Sequence, residues 1–180
     1  KIFVTYGQSN SANHGQIGYK TTKKTFMFLN SRIFPYKDPT LGATGMDGSV
    51  WGRLGDKLIA KGYAESIVFA SAGVSGANIN QLAYGHNFKH FINQLKGLKN
   101  VFGRIDAVLF HQGESNHKNN HGSKNYRNDF IYFLSNLRKY TDAPIYLSRA
   151  SICDSVSDRE LIKIQNDIIE NFDNVLSGPN

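Results

Sequence analysis

Short apolar runs alternate along this chain with longer stretches whose apolar residues recur every three or four positions. The runs at 2–6, 66–71, 105–111 and 144–149, and a fifth beginning at Asn174-Val175-Leu176, read as buried strands. Between them the periodicity predicts four helices. The first, 50–61, aligns Trp51, Leu54, Leu58 and Ile59 and stops at Gly62; the second, 87–100, aligns Phe88, Phe91, Ile92, Leu95 and Leu98. The third, 123–140, aligns Tyr126, Phe130, Phe133, Leu134 and Leu137. The fourth, 157–172, aligns Leu161, Ile164, Ile168 and Phe172, with Ser157 as its expected N-cap and Glu160 completing a capping box. This alternation predicts an α/β fold around a mostly parallel sheet.

One stretch escapes the pattern. From Ser11 to Ser49 no segment is strongly periodic, although 26–29 and 32–34 suit short strands or turns. Irregular stretches of this length in a compact domain are usually functional or disordered. This one leaves the sheet just after the first strand, so it is expected to fold over a site at that edge.

Composition narrows the class. At 180 residues, 40% hydrophobic and 19% charged, the chain suits one globular domain. Twenty-one Lys and Arg against fourteen Asp and Glu give a net charge of +7. The basic residues are scattered without a basic helix or RNA-binding signature, so they read as a solvated surface and no nucleic-acid partner is expected. The lone Cys153 excludes an internal disulfide and a multi-cysteine metal site, and reads as a small buried hydrophobe. No apolar run approaches the roughly 18 residues of a membrane span. Lys1 is not a start methionine and the first strand begins at once, which slightly favours an exported or cell-envelope protein despite the absence of a signal-peptide pattern. The chain stops at the turn signal Ser177-Gly178-Pro179-Asn180, so the single domain 1–180 is expected to lack its C-terminal segment.

Three peptides carry the candidate chemistry, and each follows a predicted strand. In an open α/β sheet, ligands bind beyond the carboxyl ends of the strands. Gly7-Gln8-Ser9-Asn10 offers a hydroxyl at a strand-to-loop turn, with Gly7 permitting a sharp bend. Ser9 suits a nucleophile there, and it equally suits the cap of a helical turn. The small-residue loop Ser71-Ala72-Gly73-Val74-Ser75-Gly76-Ala77-Asn78 lets backbone N–H groups approach a ligand, as an oxyanion hole requires. In Gln112-Gly113-Glu114-Ser115-Asn116 the glutamine can donate hydrogen bonds without carrying charge, and Glu114 can orient a histidine. Together these are the parts of a serine esterase. His14, His86, His90, His111, His117 and His121 are the candidate bases, with His90 expected on the surface. Neither a metal nor another cofactor is expected.

These motifs, in this order and spacing, resemble the first three blocks of the SGNH hydrolase superfamily. The nearest likeness is to its sialate O-acetylesterase-like branch, including carbohydrate esterase family six, where Gln-Gly-Glu replaces the usual third-block asparagine. Gly48-Ser49-Val50-Trp51 and Leu109-Phe110-His111 add to the resemblance, which spans nearly the whole chain. It implies a three-layer α/β/α sandwich with a flavodoxin-like, five-stranded sheet, and a metal-free esterase acting on an acetylated carbohydrate. By match, Ser9 is the nucleophile. The oxyanion donors are the N–H groups of Ser9 and Gly76 (Gly73 under the alternative alignment) with the Gln112 side chain, and Glu114 assists the base. The family's base lies in a carboxyl-terminal Asp-x-x-His motif, expected here beyond residue 180. Two rivals remain: a non-catalytic carbohydrate-binding module on the same scaffold, and a flavodoxin-like cofactor binder, against which stands the lack of a Gly-rich phosphate fingerprint.

Overall fold

The computed structural model describes residues 1–118, 122–150 and 157–179. Cys153 and His121 lie outside the described residues, as does the side chain of His117. Among the described residues one sheet contains β1 (Ile2–Gly7), β2 (Thr25–Leu29), β3 (Arg32–Pro35), β4 (Ile67–Ser71), β5 (Ala107–His111), β6 (Ile145–Ser148) and β7 (Val175–Ser177). Their order is β3-β2-β4-β1-β5-β6-β7, and every neighbouring pair is parallel except β2 with β3.

The expected five strands are corrected to seven. The predicted five form the contiguous block β4-β1-β5-β6-β7, which is the 2-1-3-4-5 order of flavodoxin-like sheets. The β2–β3 hairpin extends its edge. Its turn places Asn30 and Ser31 at φ 50° and 60°, the conformation of a two-residue hairpin turn without the glycine that usually signals it. β3 is largely solvent-exposed, so it carries no hydrophobic period.

The alternation of side chains along the strands builds two cores. Val4, Tyr6, Val68, Ala70, Val108 and Phe110 face one side, packing against α3 (Gly85–Phe102), α5 (Gly122–Leu137) and α6 (Arg159–Asn171). Ile67 and Phe69, with Phe3 and Leu109, face the other, where α1 (Trp51–Ala60) contributes Trp51, Leu54, Leu58 and Ile59. Three layers result, as the resemblance implies. Aromatic rings fill the larger core: Tyr6 stacks on Phe91 with centroids 4.2 Å apart, and Phe110 meets Phe133 at 5.1 Å. The N-cap of α6 is Asp158 rather than Ser157, because the Asp158 carboxylate reaches the Leu161 N–H at 2.9 Å.

Two short helices, α2 (Ile79–Ala83) and α4 (Glu114–Lys118), occupy segments without a predicted element. Both lie just after the loops that leave β4 and β5. Because β1, β4 and β5 run parallel, the segments after Gly7, Ser71 and His111 emerge at one edge.

The long stretch after β1 is tied to α1. Trp51 Nε1–H donates to the Ser11 carbonyl at 2.9 Å, and Asn13 binds both backbone groups of the Thr40 peptide segment through Thr40 O and N. Asp56, on α1 and only 7% exposed, accepts hydrogen bonds from the Tyr19, Thr22 and Thr25 hydroxyls and from the Thr22 and Lys23 N–H groups. Burial pushes its carboxyl pKa up, but the Thr22 N–H and these hydroxyls outweigh that and hold it below the ordinary aspartate value. Asp56→Ala should lower stability at neutral pH by about 2–4 kcal/mol, by stranding several donors at once. A depressed folded pKa stabilises the fold above the ordinary value of 3.8 and loses that contribution as pH falls through the lower folded value. Denaturant unfolding across pH should therefore show the gap between wild type and variant closing at strongly acid pH.

Candidate active site

Gly7 ends β1 at φ +136°, and a Cβ there would lie 1.9 Å from the His111 carbonyl oxygen. Only glycine permits this approach of β1 to β5. The next residue, Gln8, donates its N–H to that same carbonyl at 2.9 Å. Ser9–Ser11 then form a single 3-10 turn, closed by Ser11 N–H on Gln8 O and by Ala12 N–H on Ser9 O. Ser9 lies inside the turn and its side chain does not cap it. The half-buried Ser9 hydroxyl takes no hydrogen-bond partner among the described residues. It lines a cleft of about 470 Å³ with Asn10, His14, Gln16, Val50 and Arg53.

The second loop crosses the end of β1, with Val74 N–H donating to Gly7 O at 2.9 Å. Its two glycines differ in kind. A Cβ on Gly73 would lie 2.6 Å from Ser11 O and 2.7 Å from Ser11 Oγ, so Gly73 packs on the turn that carries Ser9. Gly76 faces open space at φ +69°, and glycine is favoured there by backbone conformation. The loop ends in the Asn78 capping box that starts α2.

The third loop is clamped to the first by Gln8, whose side chain is 3% exposed. Gln8 Oε1 accepts the N–H groups of Gly113 at 3.1 Å and Ser115 at 3.0 Å. From below, the Gln112 carbonyl accepts Gln165 Nε2–H at 2.9 Å and the Tyr126 hydroxyl at 3.3 Å. The Gln112 side chain, fully buried, donates from Nε2 to Asn116 Oδ1 at 2.7 Å and to Ala77 O at 3.3 Å. The second and third loops are thereby joined.

Glu114 joins the turn as well. Its Oε1 accepts Asn10 Nδ2–H at 2.8 Å and the His111 ring Nε2 at 3.2 Å. An ionised carboxylate only accepts, so His111 Nε2 carries the proton of this bond. Burial raises the Glu114 pKa, while the hydrogen bond and charge of His111, with the bond from Asn10, bring it below the ordinary glutamate value.

Ser9, Gly73, Gln112 and Glu114 thus belong to one bonded set of loops, with Gly76 in the middle of the second. Of the histidines, His14 lines the Ser9 cleft and His111 binds Glu114. His90 is not a surface residue as expected: half-buried, it donates from Nε2 to Gly42 O at 2.8 Å. His86 and His90 stand four apart on α3, a His-x-x-x-His spacing within one helix. Among the described residues no group of three His, Cys, Asp or Glu side chains is placed to hold a metal ion. No helix among them is long and apolar enough to cross a membrane. Sequence reasoning also missed Gln8, Asn116 and Gln165 as site residues. For Gln8 and Asn116 the available signal was position, inside the first and third of the candidate peptides.

Residues 49–175 match the family model described as carbohydrate esterase, sialic acid-specific acetylesterase. No protein of curated function matches the chain by sequence. Among solved structures, a protein from Arabidopsis thaliana superposes with TM-score 0.80 at 18% identity, over 99% of this chain and 84% of that one. NanS superposes with TM-score 0.72 at 12% identity, over 98% and 76%. AlinE4, an esterase of the SGNH-hydrolase family, gives 0.60 at 15%, over 98% and 74%. At these identities the likeness is one of fold.

Gln8→Ala should destabilise the protein by about 2–4 kcal/mol, because it strands two buried N–H groups at about 1–3 kcal/mol each; Gln8→Glu, which keeps the acceptor, should cost less in the same denaturant titration. A depressed Glu114 pKa means that its bonds stabilise above the ordinary value of 4.5 and are lost as pH falls through the folded value. Glu114→Gln should therefore flatten the acid side of the stability profile.

Proposed function

Since this chain belongs to the family of carbohydrate esterases of the sialic acid-specific acetylesterase type, we propose that its 180 residues form one esterase domain that removes O-acetyl groups from a carbohydrate through an acyl-enzyme on Ser9. The observation that carries this reading is the half-buried, unpartnered Ser9 hydroxyl at the edge of the 470 Å³ cleft. Its turn is fastened on both sides, through Gln8 to Gly113 and Ser115 and through Asn10 to Glu114. A nucleophile held this rigidly meets its substrate without reorganisation.

Ser9 Oγ attacks the acetyl carbonyl carbon while its proton passes to a histidine base, for which Glu114 is the orienting carboxylate. The carbonyl oxygen becomes an oxyanion. The N–H groups of Ser9 and of Gly76 in the second loop, with the Gln112 amide, stabilise it. Of the two Gln112 hydrogens, one is bound to Asn116 at 2.7 Å; the other, at 3.3 Å from Ala77 O, is the one free to shift to the oxyanion. Collapse expels the sugar hydroxyl, which takes the proton from the imidazolium. Water, deprotonated by the same base, then attacks the acetyl-Ser9 ester and releases acetate.

Ser9→Ala should abolish hydrolysis of acetylated sugars and of p-nitrophenyl acetate, together with covalent labelling by a fluorophosphonate. Gln112→Ala should lower kcat by about 10²–10³, the cost of one oxyanion donor. Full activity in either variant refutes the corresponding role. Tight binding of sugar with no labelling of Ser9 would instead identify a carbohydrate-binding module.

A further inference from the structure

Asn116 takes no step in the hydrolysis, yet two of the three loops meet at its side chain. It lies on α4, 2% exposed, and Oδ1 accepts the Ile79 N–H at 2.9 Å and Gln112 Nε2–H at 2.7 Å. The Ile79 N–H is one of the first-turn donors of α2 that have no partner within the helix. A backbone N–H only donates, so the atom that Asn116 turns toward Ile79 must be its oxygen. That choice propagates. Facing an oxygen, the Gln112 amide must present Nε2, and Gln112 Oε1 is driven to the opposite side, where it is buried with no partner among the described residues.

A buried acceptor without a donor is costly, and native structures keep few of them without a reason. A glutamine serving only to fill space would turn its amide to satisfy the oxygen. Here the orientation is imposed from Asn116, and the result places the Gln112 Nε2 group between Asn116 Oδ1 and Ala77 O of the second loop. We infer that Asn116 is a positioning residue for the esterase reaction: pinned by the first N–H of α2, it fixes which face of the Gln112 carboxamide is turned toward the oxyanion, and sets Gln112 in register with the Gly76 loop. The inference rests on the esterase reading above.

The experiment is a double-mutant cycle in the native protein, with p-nitrophenyl acetate and an acetylated sugar as substrates. Asn116→Ala should lower kcat about as far as Gln112→Ala, about 10²–10³-fold, with KM nearly unchanged. The Asn116→Ala, Gln112→Ala double variant should be no slower than Gln112→Ala alone, because one residue acts through the other. Asn116→Asp, which keeps the oxygen acceptor, should recover to within about tenfold of wild type. Additive losses, an unimpaired kcat in Asn116→Ala, or an Asn116→Asp variant as slow as Asn116→Ala would overturn the inference, whereas hydrolysis that survives Ser9→Ala would overturn the esterase reading. Side-chain amide exchange by NMR tests the relay independently of turnover and of whether Asn116→Ala folds. One Gln112 Nε2 proton should be protected in wild type and in Asn116→Asp; rapid exchange of both protons in wild type would refute it.

Discussion

The candidate site depends on a single side-chain oxygen, Gln8 Oε1, which accepts the N–H groups of Gly113 and Ser115. A loop leaving a strand carries backbone donors that must find partners once they are buried. Here those partners come from the residue next to Ser9. The backbone of Gln8 is itself fastened to His111 O, so the first and third loops cannot move independently. The Asn10–Glu114 bond spans the same two loops.

Around it the polar groups form layers of decreasing burial. At the bottom, Gln165 and Tyr126 support the Gln112 carbonyl from α6 and α5. Above them, Gln112 and Asn116 join the second and third loops to α2. Near the surface, Glu114 gathers Asn10 and His111. Neutral carboxamides dominate the buried layers, and the one carboxylate lies where a histidine and an amide meet it. This arrangement fits a reaction in which negative charge develops at a carbonyl oxygen, since donors fixed in advance stabilise such charge without having to reorganise.

The glycines define how closely the loops can approach. Gly7 lets β1 close on His111 O, and Gly73 lets the second loop close on Ser11. Gly113 plays the same part on the other face, where a Cβ would meet the Cβ of Ala150 at 2.3 Å. Each is required by a neighbouring backbone or side chain rather than by flexibility.

The sequence by itself determined the parallel block of five strands, the four long helices and the three loops at one edge, because those follow from apolar periods and from small residues after strands. It also singled out Ser9, Gln112 and Glu114, since a hydroxyl, a carboxamide and a carboxylate after buried strands have a chemical reading. What it left open depends on contacts between residues 37 to 107 positions apart. Gln8 and Asn116 have no periodicity and no reactive group, and their roles appear only once their oxygens meet the N–H groups of Gly113, Ser115 and Ile79. The β2–β3 hairpin was legible only as two runs suited to short strands or turns, because its turn lacks glycine and β3 is exposed. Tertiary structure alone decided which way the Gln112 amide faces, because that orientation is fixed by a hydrogen bond to Asn116, whose oxygen is in turn held by the start of α2.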